Sequence, residues 1–182
     1  SDVLNKVPPK GRIYLPTASY SEMLHWALPL RGYRNYEEFQ SKLKEEKISE
    51  SYNVFVRGGF WRNFLSKYAE SNRMHKKMLR VSASLAKISE DIPKNDTSKQ
   101  ALLESAQNHL WASQCNCPYW HRVFGGIYLN NIRFAVYRHM LNAEIIVDEL
   151  VRHTNSTAYR LEETDFDANG KNEILFESPK LN

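Results

Sequence analysis

The 182-residue chain is 42% hydrophobic and 25% charged, a balance that supports one sizeable core and excludes global disorder. Its formal net charge is only +4, and basic and acidic residues interleave (Glu37, Glu38, Lys42, Lys44, Glu45, Glu46, Lys47), which describes a solvated face and not a nucleic-acid footprint. No apolar run approaches the ~20 residues of a bilayer span, no secretory h-region opens the chain, and two cysteines spaced C-x-C cannot staple a fold, so the expected setting is cytoplasmic, with neither membrane nor nucleic-acid partners.

Residues 1–16 read as extended, because Pro8, Pro9 and Gly11 break any helix and Arg12-Ile-Tyr-Leu-Pro16 has a strand pattern. Thr17 or Ser19 caps a short helix reaching about Leu28, with Glu22 completing a capping box to Ser19 and Pro29 ending it. A second short helix is expected after Asn35, with Tyr36, Phe39 and Leu43 on its apolar face. Val54 to Trp61 then reads as a loop or short extended piece around Gly58 and Gly59.

Past that loop, Met74, Met78, Val81, Leu85, Ile88 and Ile92 repeat in alternating steps of three and four, the seam of a long packed helix. Pro93 stops it, and Asp96 or Thr97 caps a second long helix with a face of Leu103, Ala106, Leu110 and Ser113. A third runs from about Leu129 to Arg152, with Ile132, Ala135, His139, Ala143, Ile146 and Leu150 assigned to one stripe. After Asn155 the period changes. Ala158–Thr164 and Asn172–Phe176 flank Asp167-Ala-Asn-Gly170 as a hairpin would. The predicted fold is mainly α: an antiparallel bundle of three long helices plus short N-terminal helices over residues 1–155, then a β-hairpin fragment over 156–182. The chain opens without Met and closes on a single apolar strand pattern, so it reads as a piece of a longer polypeptide.

The connection Gln114–Gly126, Q-C-N-C-P-Y-W-H-R-V-F-G-G, is far richer in aromatic and ionisable residues than a bundle needs to turn a corner. Tyr119, Trp120 and His121 together make a sensible carbohydrate platform, since sugars present flat C–H faces ringed by hydroxyls. Packing of amphipathic rings into the end of the bundle is the competing explanation. Cys115, Cys117, His109 and His121 are of zinc-ligating types, but C-x-C is tighter than the usual knuckle, and ordinary thiols explain them better.

Arg57-Gly-Gly-Phe-Trp61 is a second candidate surface: the glycines permit close approach of a ligand, and Arg57 can bond hydroxyls or a carboxylate. A helix entered by a tight turn is the plainer explanation, and no G-K-[ST] follows to make a phosphate loop. Asp165-Phe-Asp-Ala-Asn-Gly170-x-x-Glu173 resembles a D-x-D-x-N-G calcium loop, although Phe176 stands where the bidentate glutamate of an EF-hand would be. A turn capped by Asp and Asn accounts for most of that pattern, so no metal ligand is assigned and calcium stays an alternative. Neither G-x-S-x-G, nor H-E-x-x-H, nor a carboxylate pair in an apolar setting is present, so no catalytic residue is assigned.

Three stretches together resemble glycoside hydrolase family 57, the 4-α-glucanotransferase and α-amylase type: Ala112–Leu129 (A-S-Q-C-N-C-P-Y-W-H-R-V-F-G-G-I-Y-L), Gly11–Met23 (G-R-I-Y-L-P-T-A-S-Y-S-E-M) and Phe55–Leu79 (F-V-R-G-G-F-W-R-N-F-L-S-K-Y-A-E-S-N-R-M-H-K-K-M-L). The similarity runs through nearly the whole chain in order. It implies a parent enzyme with an N-terminal (β/α)7 barrel holding a Glu nucleophile and an Asp acid/base, then a helical bundle, then a β-sandwich. This chain would supply the bundle and the opening hairpin, with both catalytic carboxylates outside it and no organic cofactor. The implied partners are α-1,4-glucan or maltooligosaccharide, the barrel and the sandwich, and the implied chemistry is retaining cleavage and transfer.

By position, Trp120 matches the tryptophan that helps form the sugar subsites beside the cleavage point. Arg122 departs from the Gly common after the Y-W-H triplet, Cys117 stands where an acidic residue is common, and Ala69 replaces a frequent Pro. A stand-alone helical module gripping a protein through its aromatic loop is the rival reading from the residues alone.

Overall fold

Pro29 ends one helix, as expected, and also begins the next. In the computed structural model, which describes residues 6, 11, 21–121, 125–154 and 159–178, helix α1 spans Ser21–Ala27 and α2 runs Leu30–Glu45. Pro29 is the N-cap of α2, extended at φ −66°, and its carbonyl accepts from the amide of Tyr33. The ring forbids an amide bond only where a helix needs one, and the first turn does not. Helix α2 therefore starts well before Asn35. Its inner face centres on buried Leu43, while Phe39, expected beside it, is 45% exposed.

The chain divides into two compact units, Ser1–Lys67 and Tyr68–Asn182. In the first, α3 (Ser49–Tyr52) runs into a 3-10 turn at Asn53–Phe55, and residues 56–60 lead into α4 (Trp61–Lys67). Met23 and Phe64 are 2% and 0% exposed, with Trp26 and Trp61 flanking the Phe64 ring. Lys67 Nζ donates to the carbonyls of Trp26 and Leu28, closing the end of α1. The strand expected at Arg12–Pro16 and the caps at Thr17 and Ser19 lie outside the described residues.

The second unit holds the three long helices: α5 (Ala69–Asp91), α6 (Thr97–Ser113) and α7 (Asn130–Thr154). The α5 seam is as the spacing predicts, with Met74, Val81, Leu85 and Ile88 buried and Ile92 buried just past the helix end. Asp96 caps α6 by accepting from the amide of Lys99. Leu103, Ala106, Leu110 and Ser113 form its buried face.

On α7 the buried row is Val136, Met140, Ala143, Val147 and Leu150, about one residue round the helix from the expected stripe. Ala143 and Leu150 are common to both; Ile132, Ala135, His139 and Ile146 are only half-buried along its flank. The cause is that α7 carries apolar residues on two neighbouring rows, and the row that meets α5 and α6 is chosen by packing, not by periodicity.

Strands β1 (Arg160–Thr164) and β2 (Glu173–Glu177) pair antiparallel, Leu161 opposite Phe176 and Glu163 opposite Ile174. The hairpin is tied to α5. Arg80 reaches Glu162 Oε2 at 2.9 Å and Glu177 Oε1 at 2.8 Å, and Asn72 donates to the carbonyl of Asp167. The Arg80 hydrogen bond holds the Glu162 carboxyl below its ordinary value, against the opposing effect of burial.

A carboxyl lowered in the folded state stabilises above its unfolded value and loses that contribution as pH falls through its folded value. Acidification below the ordinary glutamate range of about 4.3 is therefore expected to loosen the hairpin before the bundle. Amide exchange of β1 and β2 measured against pH checks this. Arg80→Met should abolish the pH step, and an unchanged step in that variant would remove Arg80 as its cause.

Candidate functional site

The connection between α6 and α7 is built from a buried anchor outward. Tyr119 is 6% exposed, and its hydroxyl donates to the carbonyl of Ser113 at 3.0 Å. Its own carbonyl accepts from Ser71 Oγ at 2.8 Å, a hydroxyl on α5 with no exposure. Burial pushes the Tyr119 phenol above its ordinary range, so it remains a neutral donor. Two buried hydroxyls, each donating to a backbone carbonyl, fix the loop, and the Cys117–Tyr119 3-10 turn buries Pro118 and Tyr119 while Cys115 and Cys117 stay exposed as free thiols.

Beyond the anchor the chain doubles back. Ile127 donates its amide to the carbonyl of Trp120 at 2.9 Å, and a 3-10 turn at Gly126–Tyr128 brings Tyr128 beside His121. Gly126 makes this possible: its φ is +47°, and a Cβ there would lie 2.0 Å from the Trp120 carbonyl oxygen. From α7, Arg133 fixes the returning segment by donating to the carbonyl of Ile127 at 2.7 Å. Its guanidinium also lies 3.8 Å from Glu70, which accepts from the Tyr137 hydroxyl. Burial, then the charge of Glu70, pushes the Tyr137 phenol up to about 12.

What this frame presents is a set of half-exposed rings with polar edges. The indole of Trp120 donates to Asn116 Oδ1. His121 Nδ1 is 2.8 Å from the Tyr128 hydroxyl, with the two rings edge to face at 5.3 Å, and Tyr68 leans on the other side at 5.6 Å. When the Tyr128 hydroxyl donates to Nδ1, the opposite nitrogen carries the proton and can donate outward. Burial first, then Tyr128, pushes the Tyr68 phenol up to about 12, so at neutral pH it too stays uncharged. Tyr128 is 58% exposed. Neutral rings, hydroxyls and N–H donors suit a neutral polyhydroxylated ligand better than an anion.

Of the residues singled out in the sequence, Tyr119, Trp120 and His121 thus come together in the second unit, Tyr119 behind the surface and the other two in it. Arg57 belongs to the first unit, where its side chain is exposed. Beside it, Gly59 packs against α1 so closely that a Cβ would meet the Leu24 amide nitrogen at 2.5 Å. Trp61 stacks on Phe64 at 5.4 Å, so the second glycine and the tryptophan serve the entry into α4. His109 meets His139 of α7 through their Nδ1 atoms at 2.8 Å, and among the described residues no cysteine joins them.

Arg122 lies outside the described residues. Tyr68, Tyr128 and Asn116 are missed by residue-type reasoning. Tyr128 had a signal, standing two residues after a glycine pair that folds the chain back; Tyr68, 53 positions before His121, had none.

Residues 59–147 match the family described as "Alpha-amylase/4-alpha-glucanotransferase, middle domain". An enzyme named alpha-amylase 1 from Dictyoglomus thermophilum is 41% identical over 98% of this chain, and a 4-alpha-glucanotransferase from Thermococcus litoralis is 41% identical over the same share. The crystal structure of 4-alpha-glucanotransferase from Thermococcus litoralis superposes with a TM-score of 0.64 at 39% identity over 95% of the chain. The chain spans about a quarter of the length of these relatives: 24% and 23% of the two sequences and 23% of the solved chain.

Proposed function

We propose, from a chain that corresponds to a central, middle-domain segment of glycoside hydrolase family 57 amylases and glucanotransferases, that it is the non-catalytic helical part of an α-1,4-glucan-acting enzyme and walls its sugar subsites. The observation that carries this is the half-exposed cluster of Trp120, His121, Tyr128 and Tyr68 on a loop braced from two helices. Trp120 offers the flat face for a glucose ring, and His121 and Tyr128 offer donors to its hydroxyls. Tyr119 holds the plate from behind. Arg57, exposed in the first unit, is assigned to hydroxyls or to a carboxylate of an adjoining domain.

In this reading the Glu nucleophile and Asp acid/base belong to a (β/α)7 barrel outside these residues, and the reaction is retaining transfer or hydrolysis without an organic cofactor. The hairpin is the opening of a β-sandwich, with the boundary near Asn155. Its outer face supports this: Leu161, Ile174 and Phe176 are 65%, 71% and 49% exposed, an apolar sheet face that further strands would cover. The setting is cytoplasmic. Among the described residues no helix is long and apolar enough to cross a membrane.

The test is product analysis of the purified 182-residue chain incubated with maltotriose and longer maltooligosaccharides. No hydrolysis and no transfer is the expected result. Turnover by the chain itself would sink the non-catalytic assignment.

A further inference from the structure

We infer that His109 and His139 form a one-proton clasp between α6 and α7, which joins the two helices at neutral pH and is forced open by acid. Their Nδ1 atoms face each other at 2.8 Å across the seam, with ring centroids 5.1 Å apart and planes inclined by 40°. Two ring nitrogens at that distance are joined by a single proton, one donating and the other accepting.

The sequence places the pair symmetrically. His109 precedes buried Leu110 and stands three residues after buried Ala106, and His139 stands in the same relation to Met140 and Val136. Each histidine therefore flanks the buried row of its own helix, and both are half-buried. The clasp also adjoins the supports of the aromatic loop. Ser113, one turn after His109, holds the Tyr119 hydroxyl, and Arg133 on α7 holds the Ile127 carbonyl. Opening the seam would loosen both supports, whatever the loop binds.

The proton count governs how the pair behaves. With both rings neutral, the donor carries its proton on Nδ1 and the acceptor carries its own on Nε2. A first added proton settles on the donor's free Nε2, and the bond becomes charge-assisted. A second must go to the accepting Nδ1, whose lone pair is already engaged. Two N–H groups would then point at each other between two cations, so the rings must part.

The surroundings do not offset this. Burial, then the charge of His109, then that of Arg138 beside it on α7, hold the His139 imidazole below the ordinary histidine value. Among the described residues no carboxylate pairs with either ring. From α5, Glu70 and Lys77 meet α7 but are engaged there, Glu70 by Arg133 at 3.8 Å and Lys77 by Glu144 at 2.6 Å. The unfolded chain thus binds two protons where the folded pair binds one. Stability is intact above the unfolded histidine value of about 6.5, and is lost as pH falls below it toward the lowered folded value. One missing proton lowers the folding constant about tenfold per pH unit. That window lies well above the carboxylate range in which the hairpin responds.

Denaturant unfolding of the 182-residue chain at about pH 7.5 and about pH 5.5, alongside His109→Gln and His139→Gln, tests this. The wild-type folding constant is expected to fall about tenfold more over that interval than that of either variant, because removing one ring leaves the other free to protonate. His75 on α5, also held below the ordinary value by burial, is present in all three chains and cancels. Equal pH dependence in the wild type and both variants would overturn the clasp. Ring-nitrogen NMR of the wild-type chain against pH keeps the test open if the variants do not fold. Two coupled steps are expected, the second well below about 6.5, with the amide signals of residues 110–120 moving in that second step. Two rings that titrate independently in the ordinary range would equally overturn it.

Discussion

Trp120→Ala in the full-length enzyme is expected to lower kcat/KM on maltooligosaccharides by about 10- to 100-fold, which corresponds to ~1.4–2.8 kcal/mol of transition-state binding. Truncation removes the largest flat surface of the cluster, along with the bond from its indole to Asn116. Fold stability should move little. Trp120 is only half-buried, its backbone carbonyl continues to accept from Ile127, and the anchor formed by Tyr119, Ser113 and Ser71 is untouched.

The readouts are steady-state kinetics of the full-length enzyme and the melting temperature of the 182-residue chain carrying the same substitution. A melting temperature lower by roughly 8 °C or more, equivalent to ~2–4 kcal/mol for a chain of this size, would assign Trp120 to packing. The division of the loss between kcat and KM also carries information. A plate beside the cleavage point should lower kcat, whereas a remote plate should only raise KM.

How much of this was legible in the chain depends on how far apart the interacting residues lie. The α5 seam was readable because it repeats over about five turns and has a single apolar row, so local spacing and tertiary burial agree. In α7 the same reasoning selected a row that is rotated from the buried one. There, Ile145, Ile146 and Val147 are consecutive, and only the partners decide that Val147 goes inside, at 3% exposure, while Ile145 stays 52% exposed.

The start of α2 was placed too late, after Asn35, because a proline that ends one helix can also open the next, and the sequence alone does not say that it does. The hairpin, a local structure with its turn residues in view, was legible from those residues together with the alternation on either side. The aromatic loop was recognisable by composition and by its resemblance to a family. Its supports were not, since Ser71 reaches Tyr119 from 48 positions away and Tyr68 reaches His121 from 53.

Gly126→Ala should be more damaging to the fold than Trp120→Ala, even though it adds one methyl group. A residue at φ +47° with a side chain costs on the order of 1–2 kcal/mol by itself. The added Cβ would also lie 2.0 Å from the Trp120 carbonyl oxygen and 3.0 Å from its carbon, both backbone atoms that no rotamer change can move aside. Relief requires the two segments to separate, which breaks the Ile127–Trp120 hydrogen bond and draws Ile127, 4% exposed, away from its packing.

Together these effects predict a loss of roughly 2–4 kcal/mol, read as a lower denaturant midpoint in the 182-residue chain. Gly170→Ala is the control. It too has a positive φ, +89°, but open space where its Cβ would go, so it should show the backbone cost alone. Equal losses in the two variants would mean that the close approach to Trp120 contributes nothing. If Gly126→Ala alone is severe, the fold of the loop and the chemistry of its surface separate cleanly: the glycine governs whether Trp120 is presented, and the indole governs what it binds.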